Sequence, residues 1–160
     1  MNKKIIIIII VVLVIAILGG ILLFLNAQKN GKPAGAEEQV SNTIIGFGKV
    51  MQNVSLSASK SVVVKAIQDN YTNFVSPDLL ASWVANPTIA PGRSTSSPWP
   101  DRIEISKLIH NQDGSYTAQS NVVEMTSREL VIGGVADIYG VTINVKEING
   151  KWLITQFTRL

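Results

Sequence analysis

The chain contains no cysteine and only one histidine, His110, in 160 residues. Without a thiol there is no disulfide, no thiolate nucleophile and no zinc–thiolate centre. One imidazole is too few donors for a transition-metal site built on nitrogen. The motifs that announce a reaction are missing as well: no G-x-S-x-G elbow, no phosphate-cradling loop, no H-E-x-x-H pair and no dinucleotide-binding glycine pattern. No metal and no cofactor is therefore expected. A basic surface is also lacking, although the formal net charge is +3. Lys3, Lys4, Lys29 and Lys32 flank an apolar run near the start. The other ten cations share residues 37–160 with all eleven acids, which leaves that part with one net negative charge. Proteins that hold a phosphate backbone concentrate Lys and Arg on one surface, so nucleic acid is not an expected partner.

What the chain does have is Ile5 to Leu25, 21 residues without a charge or a polar side chain. About 20 apolar residues in a helix cross the hydrocarbon core of a bilayer. Buried strands of about 4–8 residues are far shorter. The expected organisation is a leader at 1–4, a transmembrane helix at 5–25, a linker at 26–36 and a domain at 37–160. The linker is polar and carries Gly31, Pro33 and Gly35, too poor in apolar residues to fold alone. The leader is short and basic, and long domains translocate largely regardless of charge. The domain is thus expected outside the cytoplasm, held by an uncleaved signal anchor. A cleaved signal peptide is the competing reading. Its apolar core is usually about 7–15 residues, and the small-x-small triplet Ala34-Gly35-Ala36 lies well past Leu25.

Helical spacing comes first in the domain. Val40, Ile44, Phe47, Met51 and Val54 recur on one face, although Gly46 and Gly48 each cost a helix about 1 kcal/mol relative to Ala. Val63, Ile67, Tyr71 and Phe74 repeat the pattern. Ser76-Pro77-Asp78 reads as a helix start, with a cap, a first-turn proline and a first-turn acid. A short helix through Leu79, Leu80 and Trp83 should stop at Asn86-Pro87. Asn86 to Asp101 holds four prolines and no periodicity, a length of loop that often carries function. Trp99, held between Pro98 and Pro100, and Arg93 are the candidate partner-binding residues there. The alternative is a tied-down crossing whose Trp plugs the core edge.

The last sixty residues read as strands. Ile103, Ile105 and Ile109 alternate with polar neighbours, and Asn111 to Gly114 makes a hairpin turn. Tyr116, Ala118, Ser120 and Val122 share a face. Thr126 to Gly134 reads either as a long connection or as an extension of the strands. Tyr139, Val141, Ile143 and Val145 alternate strictly, and Asn149-Gly150 is a strong hairpin signal. Trp152 and Ile154 then fall on one face and Leu153 and Phe157 on the other, the pattern of a central or wrapped strand. Helices followed by an antiparallel sheet define an α+β fold. The expectation is two or three helices on a curved four-stranded antiparallel sheet.

This order of elements over residues 58–160, closing on Asn149-Gly150-Lys151-Trp152-Leu153-Ile154, resembles the nuclear-transport-factor-2-like (cystatin-like) fold superfamily. The terminal pattern is similar to that of many secreted or membrane-tethered bacterial members. The resemblance implies a cone-shaped roll with a pocket. It also implies that two kinds of role are open: assembly or accessory modules of the cell envelope, and small lyases or isomerases. Enzymes of this fold use an Asp or Asp–His arrangement with a Tyr. His110 sits beside a turn, where a histidine is usually solvated. Glu124 and Asp137, with Tyr139 or Tyr71 nearby, are the pocket candidates, because neighbouring carboxylates split their pKa values. Solvated surface placement is the competing reading for both acids. Arg102, Arg128 and Glu129 read as sheet-edge charges. The expected function is a single-pass, membrane-anchored binding or assembly module without catalysis, whose partners are the membrane and another envelope protein. The alternative is a lyase- or isomerase-type enzyme using the cone pocket.

Overall fold

The structure is a computed structural model and describes residues 35–160. The apolar run Ile5–Leu25 and nearly all of the linker lie outside the described residues. Among the described residues no helix is long and apolar enough to cross a membrane.

Residues 36–160 form an α+β unit of four α-helices and one open, four-stranded antiparallel sheet. Helix α1 (Ala36–Val50) carries Glu37 and Glu38 in its first turn and Lys49 in its last, the signs its dipole favours. Its apolar face buries Val40, Ile44 and Phe47. A 3₁₀ turn at Met51–Asn53 ends it. Helix α2 (Lys60–Tyr71) buries Val63, Ile67 and Tyr71. Helix α3 (Pro77–Ala85) starts as its sequence predicts: the Ser76 hydroxyl accepts from the Leu79 N–H, and Pro77 occupies the first turn. It buries Trp83.

The strands β1 (Trp99–His110), β2 (Tyr116–Met125), β3 (Asp137–Ile148) and β4 (Lys151–Arg159) pair in chain order. Asn149 (φ 52°) and Gly150 (φ 77°) supply the two left-handed residues of a tight hairpin between β3 and β4. The sheet face bearing Ala118, Val122, Val141, Ile143, Val145 and Ile154 packs on the helices to form one core. At Gly48, α1 approaches β1 closely: an added Cβ would lie 2.7 Å from the Ile103 backbone nitrogen.

Four features resolve or depart from the sequence reading. Of its two alternatives, Thr126 to Gly134 is the connection between β2 and β3, and it contains helix α4 (Ser127–Ile132). Glu129 is no sheet-edge charge, because its carboxylate accepts from the Thr126 N–H and hydroxyl and closes a capping box. Of the central and wrapped readings of β4 the central one fails, since β4 is an edge strand. Its free side is covered by a short bridge, in which Ser76 N–H donates to Ile154 O (2.8 Å) and Ile154 N–H to Phe74 O (2.8 Å). Finally, a bulge at Thr155 shifts the β3–β4 register from Val145↔Ile154 to Asn144↔Gln156. An extra residue turns the following side chains to the other face. Phe157 therefore joins the core side, where its ring centroid lies 5.9 Å from that of Phe47.

Candidate functional site

The sheet has two ends. At one lie the β1–β2 and β3–β4 turns. There α1 begins, with the Thr43 hydroxyl donating to Trp152 O (3.1 Å). At the other end β1 starts, β2 and β4 finish, and the long loop after α3 crosses. This second end holds Glu124, Asp137, Tyr139 and Arg159. Glu124 and Asp137 are direct cross-strand partners, as are Val122 and Tyr139, and Val141 and Arg159. Strand alternation places Glu124, Asp137, Tyr139 and Arg159 together on the helix-facing side. The Arg159 guanidinium carbon lies 3.9 Å from the centre of the Tyr139 ring, a cation–π contact.

The loop is tied down from beneath. The Tyr71 hydroxyl, in the core, donates to Pro91 O at 2.7 Å. Arg93 N–H donates to Val54 O and Leu56 N–H to Arg93 O, both at 2.8 Å. Gly92 is needed here, since a Cβ would approach Val54 O to 2.7 Å. Between the pinned loop and the sheet is an open cavity of about 240 Å³. Its walls are Leu56, the loop residues Thr88 to Gly92, Ser94, Tyr139, Phe157 and Arg159. A second cavity of similar size adjoins it across Leu56 and Thr88, walled by Val63, Ala85 and Pro87.

Electrostatics follow the geometry. Burial, then the Asp137 charge opposite, raise the Glu124 carboxyl, while Arg159 lowers it. Burial and the neighbouring Glu124 charge push the Tyr139 hydroxyl up to about 12, against the pull of Arg159. Burial raises Tyr71 further, with Tyr139 adding to it. Both phenols are thus neutral hydrogen-bonding groups at ordinary pH. Neither Glu124 nor Asp137 is part of the cavity wall, and among the described residues no group of three or more His, Cys, Asp or Glu could hold a metal ion.

Of the residues singled out from sequence, Glu124, Asp137 and Tyr139 are brought together, and Tyr71 sits beneath them in the core. Arg93 and Trp99 do not join them. Arg93 serves the loop through its backbone, and its Nε is buried without a hydrogen-bond partner. Trp99 opens β1 opposite Met125, partly buried. His110 is exposed at the other end, its ring 4.7 Å from that of Tyr116. Sequence reasoning missed Phe157 and Arg159. Counting back from the Asn149-Gly150 turn without a bulge would pair Arg159 with Gly140 and aim it outward; the Thr155 bulge turns it inward.

The space between helices and sheet is filled. The Phe47 ring packs against Tyr71 (4.8 Å), Trp83 (6.0 Å, stacked) and Phe74 (6.4 Å). The cavity walled by Tyr139, Phe157 and Arg159 lies at the sheet end, under the loop. Comparison with known proteins finds no matching family model, curated protein or solved structure.

Proposed function

We propose that this chain is a single-pass, membrane-anchored module that binds a partner outside the cytoplasm and does no chemistry on it. The anchor is the Ile5–Leu25 helix, and the domain is a cone-shaped roll of the nuclear-transport-factor-2-like kind whose pocket has been packed shut. The observation that carries this reading is the ring cluster of Phe47, Tyr71, Trp83 and Phe157, which fills the interior where a cone pocket would lie. The cavity under the loop is open and walled by apolar side chains, hydroxyls and backbone, with Arg159 as its only charged side chain. Such a wall holds a ligand through contact and hydrogen bonds and brings no general base to it.

The raised Glu124 carboxyl beside Tyr139 is the one observation that favours a lyase or isomerase. It weighs less, because a catalytic carboxylate has to reach the reacting proton, and neither acid faces the cavity. The partner expected is another envelope protein. The test is a photoreactive amino acid at Ile89, which is 56% exposed at the cavity mouth, in cells expressing the full-length chain. One discrete adduct should form, and both Phe157→Ala and Arg159→Ala should weaken it. Adduct formation that ignores both substitutions would rule the cavity out as the binding site.

A further inference from the structure

The cavity under the loop does not stand alone. Leu56 and Thr88 belong to its wall and to that of the adjoining cavity, each about 240 Å³ in volume. The two hollows make one groove, with Val63, Ala85 and Pro87 towards one end and Ile89 and Phe157 towards the other. Each is smaller than the roughly 300–1,000 Å³ of pockets that enclose a small molecule. Two small open hollows side by side suit the neighbouring side chains of an extended chain segment.

The charges in the groove have one sign. Arg159 walls one hollow and Lys60 the other, and neither wall contains an aspartate or a glutamate. Among the described residues neither cation closes an ion pair, whereas Lys65, Arg102 and Lys146 do. The Arg159 guanidinium lies on the Tyr139 ring, its carbon 3.9 Å from the ring centre. Stacking occupies the face of the group and leaves its N–H edge to a ligand. Among the described residues no acceptor takes a hydrogen bond from that edge. Arg102, by contrast, donates to Asp101 (3.0 Å) and Glu104 (2.8 Å). Glu124 acts on Arg159 only through space, since it lies outside both walls and makes no ion pair with it.

We propose that the groove takes an extended acidic–apolar segment of a partner protein, with a carboxylate on the Arg159 edge and a neighbouring apolar side chain in the hollow walled by Leu56 and Val63. This rests on the cavity being the binding site. A planar carboxylate accepts two parallel N–H bonds from one guanidinium, which sets its orientation and adds to the charge attraction. A basic segment meets only like charge there. Lys60 is exposed, so a second acid at its end adds little. Glu124 competes with the incoming carboxylate for the same cation and holds the affinity down.

The test presents a library of random linear peptides to the full-length chain in phosphatidylcholine nanodiscs. Enriched sequences should carry Asp or Glu next to apolar residues. A synthetic copy of one should bind Arg159→Gln about tenfold more weakly, and its amide counterpart should lose as much on the parent chain. Glu124→Gln should tighten the same peptide about two- to fivefold by removing the competing charge. A merely structural role for Arg159 predicts no such gain. Arg102→Gln, whose guanidinium is engaged outside the groove, should change nothing. Equal yield of acidic peptides on the parent and on Arg159→Gln, or enrichment without an acid, would overturn the proposal. So would loss of peptide binding on adding phosphatidylserine to the discs while a photoreactive group at Ile89 labels lipid, which would make the groove a headgroup site. The Ile89 adduct in cells separates this proposal from the reading beneath it. An adduct that weakens in Phe157→Ala, while peptides show no acid preference, keeps the cavity and refutes the acid. An adduct that ignores both Phe157→Ala and Arg159→Ala refutes the cavity itself.

Discussion

Gly46 and Gly48 lie two residues apart on α1 and differ in what a methyl group would meet. At Gly48 the obstacle is backbone, the Ile103 nitrogen at 2.7 Å, with Ile103 Cγ1 at 2.9 Å. At Gly46 it is the edge of the Phe74 ring at 2.6 Å, and that ring is only half-buried and can swing. Gly48→Ala should therefore destabilise by about 1–3 kcal/mol despite its better helix propensity. Gly46→Ala should be close to neutral, since a helix gain of about 1 kcal/mol offsets the ring's movement. Thermal unfolding of the two variants side by side checks the difference. Glu124 yields a prediction with a definite sign. Its folded-state pKa is raised, so the folded chain holds the extra proton and stability falls as pH rises from the ordinary carboxylate value through the folded one. Glu124→Gln should stabilise by about 0.2–1 kcal/mol at neutral pH by relieving the cross-strand repulsion with Asp137. The gain should vanish in acid, and denaturant melts at two pH values read it. Asp113 runs the other way. The Ser115 hydroxyl and N–H, with Lys146, hold its carboxyl down at about 2. Its contribution is present above the ordinary carboxylate value and is lost as pH falls through about 2.

Elements here are positioned by a few specific contacts. The loop over the cavity hangs on the Tyr71 hydroxyl, whose bond to Pro91 O is buried. Tyr71→Phe leaves that carbonyl unpartnered and should cost about 1–3 kcal/mol. Amide exchange should quicken at Gly92, Arg93 and Ser94 more than in the sheet; uniform acceleration would mean the bond is global support and not a loop tether. β4 depends on its bulge. Thr155 sits in the extra position, its hydroxyl donating to Asn144 O (3.3 Å). Phe157→Ala should cost about 3 kcal/mol by emptying the ring's place beside Phe47. Deleting Thr155 closes the bulge yet keeps Phe157 opposite Ile143 and Arg159 opposite Val141, so both should stay on the core side and the deletion should cost less. A deletion that melts as far below the parent as Phe157→Ala would show that the bulge itself holds the ring in place.

At the scale of the whole molecule, the expected anchor and the domain make separate demands. The 36–160 unit keeps its core, its loop ties and its sheet within itself. The expected topology puts that unit outside the cytoplasm. Protease added to intact cells should then remove it and leave a membrane-bound fragment containing Ile5–Leu25. A domain protected until lysis would reverse the orientation. The near-neutral charge of residues 37–160 predicts a partner interaction only weakly sensitive to salt, unlike that of a phosphate-backbone binder.

Much of this arrangement can be read without coordinates. Apolar period settles the faces of α1, α2 and β3, because burial of a helix or strand follows its own repeat. Ser76-Pro77 and Asn149-Gly150 mark a helix start and a hairpin through local backbone chemistry. Thr126-x-x-Glu129 is an equally local cap signal, legible in the residues even where their charges read as a sheet edge. Alternation puts Asp137 and Tyr139 on one face of β3, but that Glu124 lies opposite Asp137 is set by the β2–β3 register. Other features depend on contacts between distant segments. A single inserted residue at Thr155 reverses the side on which Phe157 and Arg159 lie, and no periodicity announces it. The edge position of β4 and its cover by Phe74 to Ser76 come from sheet order. The filling of the interior by Phe47, Tyr71 and Trp83 comes from packing across three helices, as does the opening of the cavity at the loop end. Sequence by itself determined three of the four described helices, the four strands and most of their faces, and raised the expectation of an apolar anchor, since these obey local period and local capping. Only the tertiary structure decided which face Arg159 takes, where the open space lies and which apolar side chains stay uncovered, since each depends on register and packing between segments far apart in the chain.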